Sequence, residues 1–137
     1  MKKFTRILAL TLVAVFLVMT FVACGKKPSS NCKTAFEKLK KNNYDAALYY
    51  DRDDYNDDGI EYTVSGRKGD MTKGNYEMVQ ILYFKDKKSA EAYWNKNEDD
   101  ITGVTETMKK ALGSDYVSGR DGKMIYAGTT NAVKAAK

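Results

Sequence analysis

The pattern of apolar and polar positions predicts three strands in the first half of the chain. Apolar and polar residues alternate over Ile60–Ser65, and the run Tyr76–Phe84 is apolar on both parities. Alternation is typical of a half-buried strand, and the second pattern indicates a central strand covered on much of both faces. Tyr44–Tyr50 also alternates, although alanine is a poor strand former. We predict a strand there too, with a single helix over 34–49 as the alternative.

Helices are predicted at both ends of the folded part. Thr34 and Glu37 have the capping-box spacing, in which a hydroxyl and a carboxylate satisfy free amides of a first helical turn. Asn42 and Asn43 are expected to end this helix, because asparagine tolerates left-handed geometry. The alanine-rich segment 131–137 is predicted as a short final helix.

Two more helices are predicted between the strands. Asp86 can cap the first of them, whose stripe runs from Ala90 to Ile101 at helical spacing. Thr102-Gly103 is expected to interrupt the pattern, and a second stripe follows over 104–112. Glycine after that stripe is typical of a helix end.

A hairpin is predicted from the Asp121-Gly122 pair, which separates the segments 116–120 and 123–127. Asp-Gly is a favoured two-residue turn because both positions tolerate positive φ. The order of elements is therefore α-β-β-β-α-α-β-β-α. We predict the α+β class, with a single small domain, an antiparallel sheet of about five strands and helices mostly on one face.

The first 24 residues have the features of a secretory signal peptide. Three basic residues precede an uncharged run of about 17 residues from Ile7 to Ala23, and small residues precede Cys24. Phe21–Cys24 resembles the lipobox of bacterial lipoproteins, in which the cysteine is lipidated and becomes the first residue of the mature protein. The lipobox usually carries leucine where this chain has Phe21.

This resemblance implies a division of the chain into three parts. We predict a lipoprotein signal peptide over 1–23, a lipidated Cys24 with a polar tether over 24–31, and an α+β domain over 32–137. The alternatives are an uncleaved transmembrane anchor, for which the apolar run is short, and an ordinary signal peptide. With either anchor the domain is expected on the extracytoplasmic face of the cell membrane.

The composition of the chain without its predicted signal peptide excludes several classes of function. The chain has a net charge of +5, but cleavage takes away three of its 23 basic residues and leaves 20 against 18 acidic ones. A nucleic-acid partner is therefore not expected. The absence of histidine excludes Ser-His-Asp and Cys-His catalysis as well as histidine metal sites. No phosphate loop or catalytic motif is present, so we predict a protein that is not an enzyme.

Cys32 has no partner for an internal disulfide if Cys24 carries lipid, because the chain has only two cysteines. It is interpreted as a half-buried spare thiol near the first helix. An intermolecular bridge or a reactive thiol is the alternative.

A calcium site is a second hypothesis. Asp54, Asn56 and Asp58 with Gly59 match the first half of a calcium loop, in which alternate oxygens converge on one cation and glycine allows the sharp turn. The second half is missing, because the twelfth position is Ser65 where an EF-hand has glutamate. The alternative is an acidic, solvated turn between two strands.

Aromatic and basic residues allow two further interpretations each. Tyr93-Trp94 and the tyrosines at alternate strand positions are interpreted as core, with a carbohydrate-stacking surface as the alternative. The helical lysines are interpreted as polar faces, with contact to anionic lipid or wall polymer as the alternative. Lys26 and Lys27, held beside the bilayer, are each worth roughly 1 kcal/mol of attraction there.

Together these features resemble small uncharacterised lipoproteins of Gram-positive bacteria. The resemblance is carried by Phe21–Cys24, by Ile81–Ala90 and by Met124–Thr129 with the terminal helix, and it implies no catalytic residue. We predict a membrane-anchored lipoprotein that displays a non-catalytic domain for binding an envelope protein, an envelope polymer or a small molecule. The alternatives are a calcium-dependent surface module and an unrecognised cell-envelope enzyme.

Overall fold

The chain folds around one antiparallel sheet, which the computed structural model describes through residues 27–50, 58–112 and 115–137. In chain order the elements are α1 (Cys32–Lys41), β1 (Asp45–Tyr50), β2 (Ile60–Lys68), a 3-10 turn (Met71–Lys73), β3 (Glu77–Phe84), α2 (Lys87–Leu112), β4 (Tyr116–Asp121), β5 (Met124–Thr129) and α3 (Thr130–Ala135). The predicted α+β class is confirmed, and residues 45–50 form a strand rather than part of a helix.

The strand order in the described sheet is β1-β2-β3-β5-β4, with every neighbouring pair antiparallel. Ile81 of β3 lies opposite Val64 on one side and Tyr126 on the other, so these three side chains share a face, which we call the first face. Side chains alternate along a strand. Leu82 and Ile125 therefore lie on the second face.

Helices α1 and α3 cover the first face and enclose the larger hydrophobic cluster. Leu39 of α1 and Val133 of α3 are fully buried there, together with Val64 and Ile81 from the sheet. Two of the three described helices thus share a face, as predicted. The burial of this layer supplies the main hydrophobic contribution to folding.

Helix α2, the longest, lies on the second face over β3, β5 and β4. Phe84, Ala90 and Ile125 are buried in a smaller cluster, against which Tyr93 and Trp94 pack. Because α2 packs mainly on the β4 and β5 side, it leaves open the second face of β1 and that of β2 beyond Ile60. This asymmetry determines where a ligand can reach the sheet.

The prediction of two helices over 86–112 is wrong, because α2 is continuous through Thr102-Gly103. The buried stripe keeps its helical period past the glycine, and Thr105 is buried on it. The Thr105 hydroxyl donates to the carbonyl of Ile101 at 2.7 Å and lies 3.0 Å from the Ser118 Oγ of β4. Tertiary packing therefore outweighs the weak helix propensity of Gly103.

Replacing Gly103 with alanine is expected to raise the free energy of unfolding by roughly 0.5–1 kcal/mol. A Cβ added at this exposed position meets no atom within 4 Å beyond the adjacent backbone of its own helix, so the main effect is the removal of the glycine's excess chain entropy. Gly119→Ala is the control, since its Cβ would lie 2.6 Å from the Tyr126 hydroxyl oxygen. Urea denaturation should show opposite signs for the two variants; a loss of stability in Gly103→Ala would contradict a continuous helix.

Two predicted boundaries are corrected. Helix α1 begins at Cys32 rather than behind a Thr34–Glu37 capping box, because the Asn31 side chain is the cap and accepts the Thr34 amide at 3.0 Å. Strand β2 continues through Gly66 to Lys68, beyond the alternating run that ends at Ser65. A Cβ there would meet Leu39 at 3.0 Å, so the glycine serves close packing of α1 on the sheet.

Candidate functional site

Most of the site residues predicted from sequence lie outside the described part of the chain. Cys24, Asp54 and Asn56 belong to this group, so lipidation at Cys24 stays a prediction. Asp58 lies just before β2, and its carboxylate is 3.7 Å from the Lys96 ammonium. Within the described ranges no three acidic or sulfur side chains cluster as a metal site would require. Calcium binding by Asp54, Asn56 and Asp58 likewise stays a prediction.

The aromatic pair predicted as core does pack in the core. Tyr93 contacts Phe84 with ring centroids 5.3 Å apart, and Trp94 is partly buried in the same cluster. Cys32 is half-buried at the start of α1, beside the larger cluster. Burial raises the pKa of Tyr83, whose ring lies in the same cluster. These side chains are therefore committed to packing.

The described part of the predicted tether is docked on the domain. Pro28 is fully buried, and the Ser29 amide donates to the Ala136 carbonyl at 2.9 Å. The Tyr83 hydroxyl donates to the Ser29 carbonyl at 2.8 Å. Lys27 forms an ion pair with Asp121 at 2.7 Å. The chain is thus docked from Lys27, the first residue that the structure describes, which lies three residues after Cys24.

An open trough lies on the second face where α2 does not cover β1 and β2. It has a volume of about 520 Å³, within the range of about 300–1,000 Å³ typical of ligand sites. It is lined by side chains that share this face or border it: Asp45, Ala47, Tyr49, Ser65, Arg67, Tyr76, Met78 and Gln80. We refer to this feature as the trough.

The side chains of the trough combine an apolar surface with hydrogen-bonding groups. Tyr49 is 58% exposed on the edge strand β1. Arg67 forms an exposed ion pair with Asp45 at 3.0 Å, which keeps its guanidinium near one end of the trough. Ser65 and Gln80 lie side by side on β2 and β3 and add a hydroxyl and an amide. Such a surface suits a ligand that has both a flat apolar side and polar groups.

Sequence reasoning missed the trough, although one residue pointed to it. Gln80 lies inside the apolar run Tyr76–Phe84, which was predicted to be covered on much of both faces. In the structure Gln80 is exposed and Met78 is half-exposed, whereas Phe84 at the other end is buried under α2. A polar residue at the centre of a central strand was thus the available signal.

A second polar cluster, at the opposite end of the sheet from the β4–β5 turn, is structural. The Tyr44 hydroxyl donates to Glu77, and the Asn131 amide donates to the other oxygen of that carboxylate at 3.1 Å. Burial, then the hydrogen bond to Glu77 and its charge, raises the pKa of Tyr44. The tyrosine therefore stays neutral and joins the start of β1 to α3.

Two aspartates that precede helical turns have lowered pKa values, and both act as caps. The Thr72 hydroxyl, followed by its amide, lowers the pKa of Asp70 in the β2–β3 turn. The Ser89 amide, donating at 2.7 Å, is the main cause of the lowered pKa of Asp86 at the start of α2. Both shifts favour the carboxylate, which is the opposite of what a general acid requires.

Comparisons of the chain with protein-family models, with curated proteins and with solved structures found no match. In the described ranges, no helix has the length and apolar character needed to cross a membrane.

Proposed function

We propose that the protein is a lipid-anchored extracytoplasmic protein whose domain binds an envelope ligand in the trough without catalysis. Anchoring is supported by the Phe21–Cys24 pattern behind an apolar run. The observation that carries the binding role is the trough itself. It is an uncovered half of a sheet face whose other half is packed under α2.

The open half of this face is not an ordinary polar surface. Tyr49 and Met78 place apolar surface next to the hydrogen-bonding groups of Ser65 and Gln80. Exposed apolar surface bordered by polar residues is typical of interaction sites. Because the trough is open at its sides, it suits an extended ligand lying across the strands rather than an enclosed small molecule.

A glycan of the cell envelope has the matching chemistry. A sugar ring presents a flat face of C–H groups, which can stack on the Tyr49 ring, and hydroxyl or amide groups, which Gln80 and Arg67 can bind. Tyrosine supplies such contacts at a low cost in side-chain entropy.

Chitotriose, a soluble trimer of N-acetylglucosamine, is the probe for this role. In NMR titration it is expected to shift the amide signals of β1–β3 around Ser65 and Gln80, and Tyr49→Ala is expected to weaken binding roughly tenfold, about 1.4 kcal/mol. The matched control is Tyr50→Ala, because Tyr50 is similarly exposed (65% against 58%) but points to the first face. Equal losses in the two variants, or shifts confined to other surfaces, would contradict binding in the trough.

A further inference from the structure

The link between the proposed lipid anchor and the folded domain is very short. Pro28 is buried and Lys27 is paired with Asp121, so only Gly25 and Lys26 separate the docked segment from Cys24. Three Cα–Cα steps of at most about 3.6 Å each place Cys24 within about 11 Å of Lys27.

Lys27 lies at one end of the sheet, which we call the hairpin end. This end comprises the β4–β5 turn with the neighbouring strand ends: Lys27, Asp58–Gly59, Phe84–Lys88 and Asp121–Lys123. The Phe84 amide donates to the Lys123 carbonyl at 2.8 Å, and the Lys85 amide donates to the Gly59 carbonyl at 2.9 Å. These segments therefore form one continuous surface.

The opposite end of the sheet is much farther from Lys27 than the link can reach. Strand β3 runs from Glu77 to Phe84, a span of about 23 Å at 3.3 Å per residue. The turn Met71–Lys73 lies beyond the Glu77 end. The polar headgroup layer is itself roughly 5–7 Å thick on each side of a bilayer. When the acylated Cys24 lies at the base of that layer, much of the 11 Å link spans the headgroups. Little length then remains to separate the domain from the membrane surface.

From this geometry we infer that the hairpin end rests on phospholipid headgroups and that the Met71–Lys73 turn points away from the membrane. The inference rests on the proposed lipid anchoring at Cys24 and adds the surface through which the domain contacts the bilayer.

Electrostatic attraction contributes less to this membrane contact than the short link does. Among the described residues, the hairpin end carries five lysines and three aspartates: Lys27, Lys85, Lys87, Lys88, Lys123, Asp58, Asp86 and Asp121. However, the chain leaves the sheet at Tyr50 and returns at Asp58 on this same end, and the sequence between them contains four more aspartates and one arginine. We therefore attribute the orientation to the short link rather than to charge. Because salt screens only the charges, a high salt concentration should not abolish the orientation.

The orientation also limits what the trough can bind. Gln80 lies four residues from Phe84 along β3, which places the middle of the trough about 13 Å above the hairpin end. The trough then opens sideways, along the membrane surface. Its ligand is accordingly expected within a few tens of ångströms of the bilayer.

The test uses the acylated protein, purified from membranes and reconstituted in mixed vesicles of phosphatidylcholine and phosphatidylglycerol. In a Cys32→Ser background, a nitrobenzoxadiazole fluorophore is attached at Lys123→Cys or at Lys73→Cys. Each variant removes one exposed lysine, from opposite ends of the sheet. Quenching by lipids that carry a headgroup nitroxide then reports the distance of each end from the membrane.

We expect the label at residue 123 to be quenched at least twofold more strongly than the label at residue 73, with the difference retained in molar sodium chloride. A second label at Lys88→Cys, in the first turn of α2, should behave like residue 123. Equal quenching at both ends in an acylated chain would overturn the orientation and leave the anchoring intact. A purified chain whose mass lacks the acyl groups would overturn both.

Discussion

Leu39→Ala is expected to lower the free energy of unfolding by about 2–5 kcal/mol. Leu39 is fully buried between α1 and the sheet, and its side chain packs directly against Gly66 of β2. Alanine would leave a cavity here, because Gly66 has no side chain that could fill the space vacated by Leu39. Against a typical total of about 5–15 kcal/mol, this is a large fraction. Urea denaturation monitored by circular dichroism measures the change.

The matched control for this substitution is Leu48→Ala. Leu48 lies on the same face of the sheet but on the edge strand β1, where it is 37% exposed. Its truncation is expected to lower the free energy of unfolding by less than about 1 kcal/mol, because Leu48 buries less apolar surface than Leu39 does. Similar losses for Leu39 and Leu48 would show that α1 does not cover the first face as described.

Replacing Cys24 with serine is expected to abolish acylation completely. The sequence offers two thiols, and only Cys24 follows an apolar run and small residues. Serine is nearly the same size but has no sulfur to which the lipid can be attached. Metabolic labelling with an alkyne analogue of palmitate, followed by gel fluorescence, gives the readout.

Cys32→Ser provides the control for this prediction. Cys32 is half-buried at the start of α1 and belongs to the folded domain. Its replacement should leave the palmitate label unchanged, while Cys24→Ser should show none. Label that persists in Cys24→Ser would rule out acylation at the proposed site.

The fold class could be predicted because local patterns and tertiary packing agree along most of the chain. The strand predicted over Ile60–Ser65 and the hairpin after β4 are both present. A bulge between Ile60 and Tyr62, however, places Ile60 in the cluster under α2. The turn residues of the hairpin are Gly122 and Lys123 rather than Asp121 and Gly122, because Asp121 pairs with Met124. The predicted ends of elements were wrong where tertiary packing outweighs the local conformational preference of glycine. Gly66 continues a strand because Leu39 needs the space, and Gly103 continues a helix because the buried stripe passes through it.

The candidate site was much less accessible to sequence reasoning. The trough depends on which part of the second face α2 covers, and this follows from packing between residues far apart in the chain. The docking of Pro28 could not be foreseen either, because the flanking residues are polar and resemble a flexible tether. The neighbouring Ser29 is held by hydrogen bonds to Tyr83 and Ala136, which lie more than fifty residues away in the chain.

Intact-mass analysis of the wild-type protein extracted from membranes tests the central claim most directly. The account predicts a chain that begins at Cys24, has lost residues 1–23 and carries the added mass of its acyl groups. A full-length chain that retains Met1–Ala23, or a cleaved chain without acyl groups, would contradict the proposal that the protein is a lipid-anchored extracytoplasmic protein.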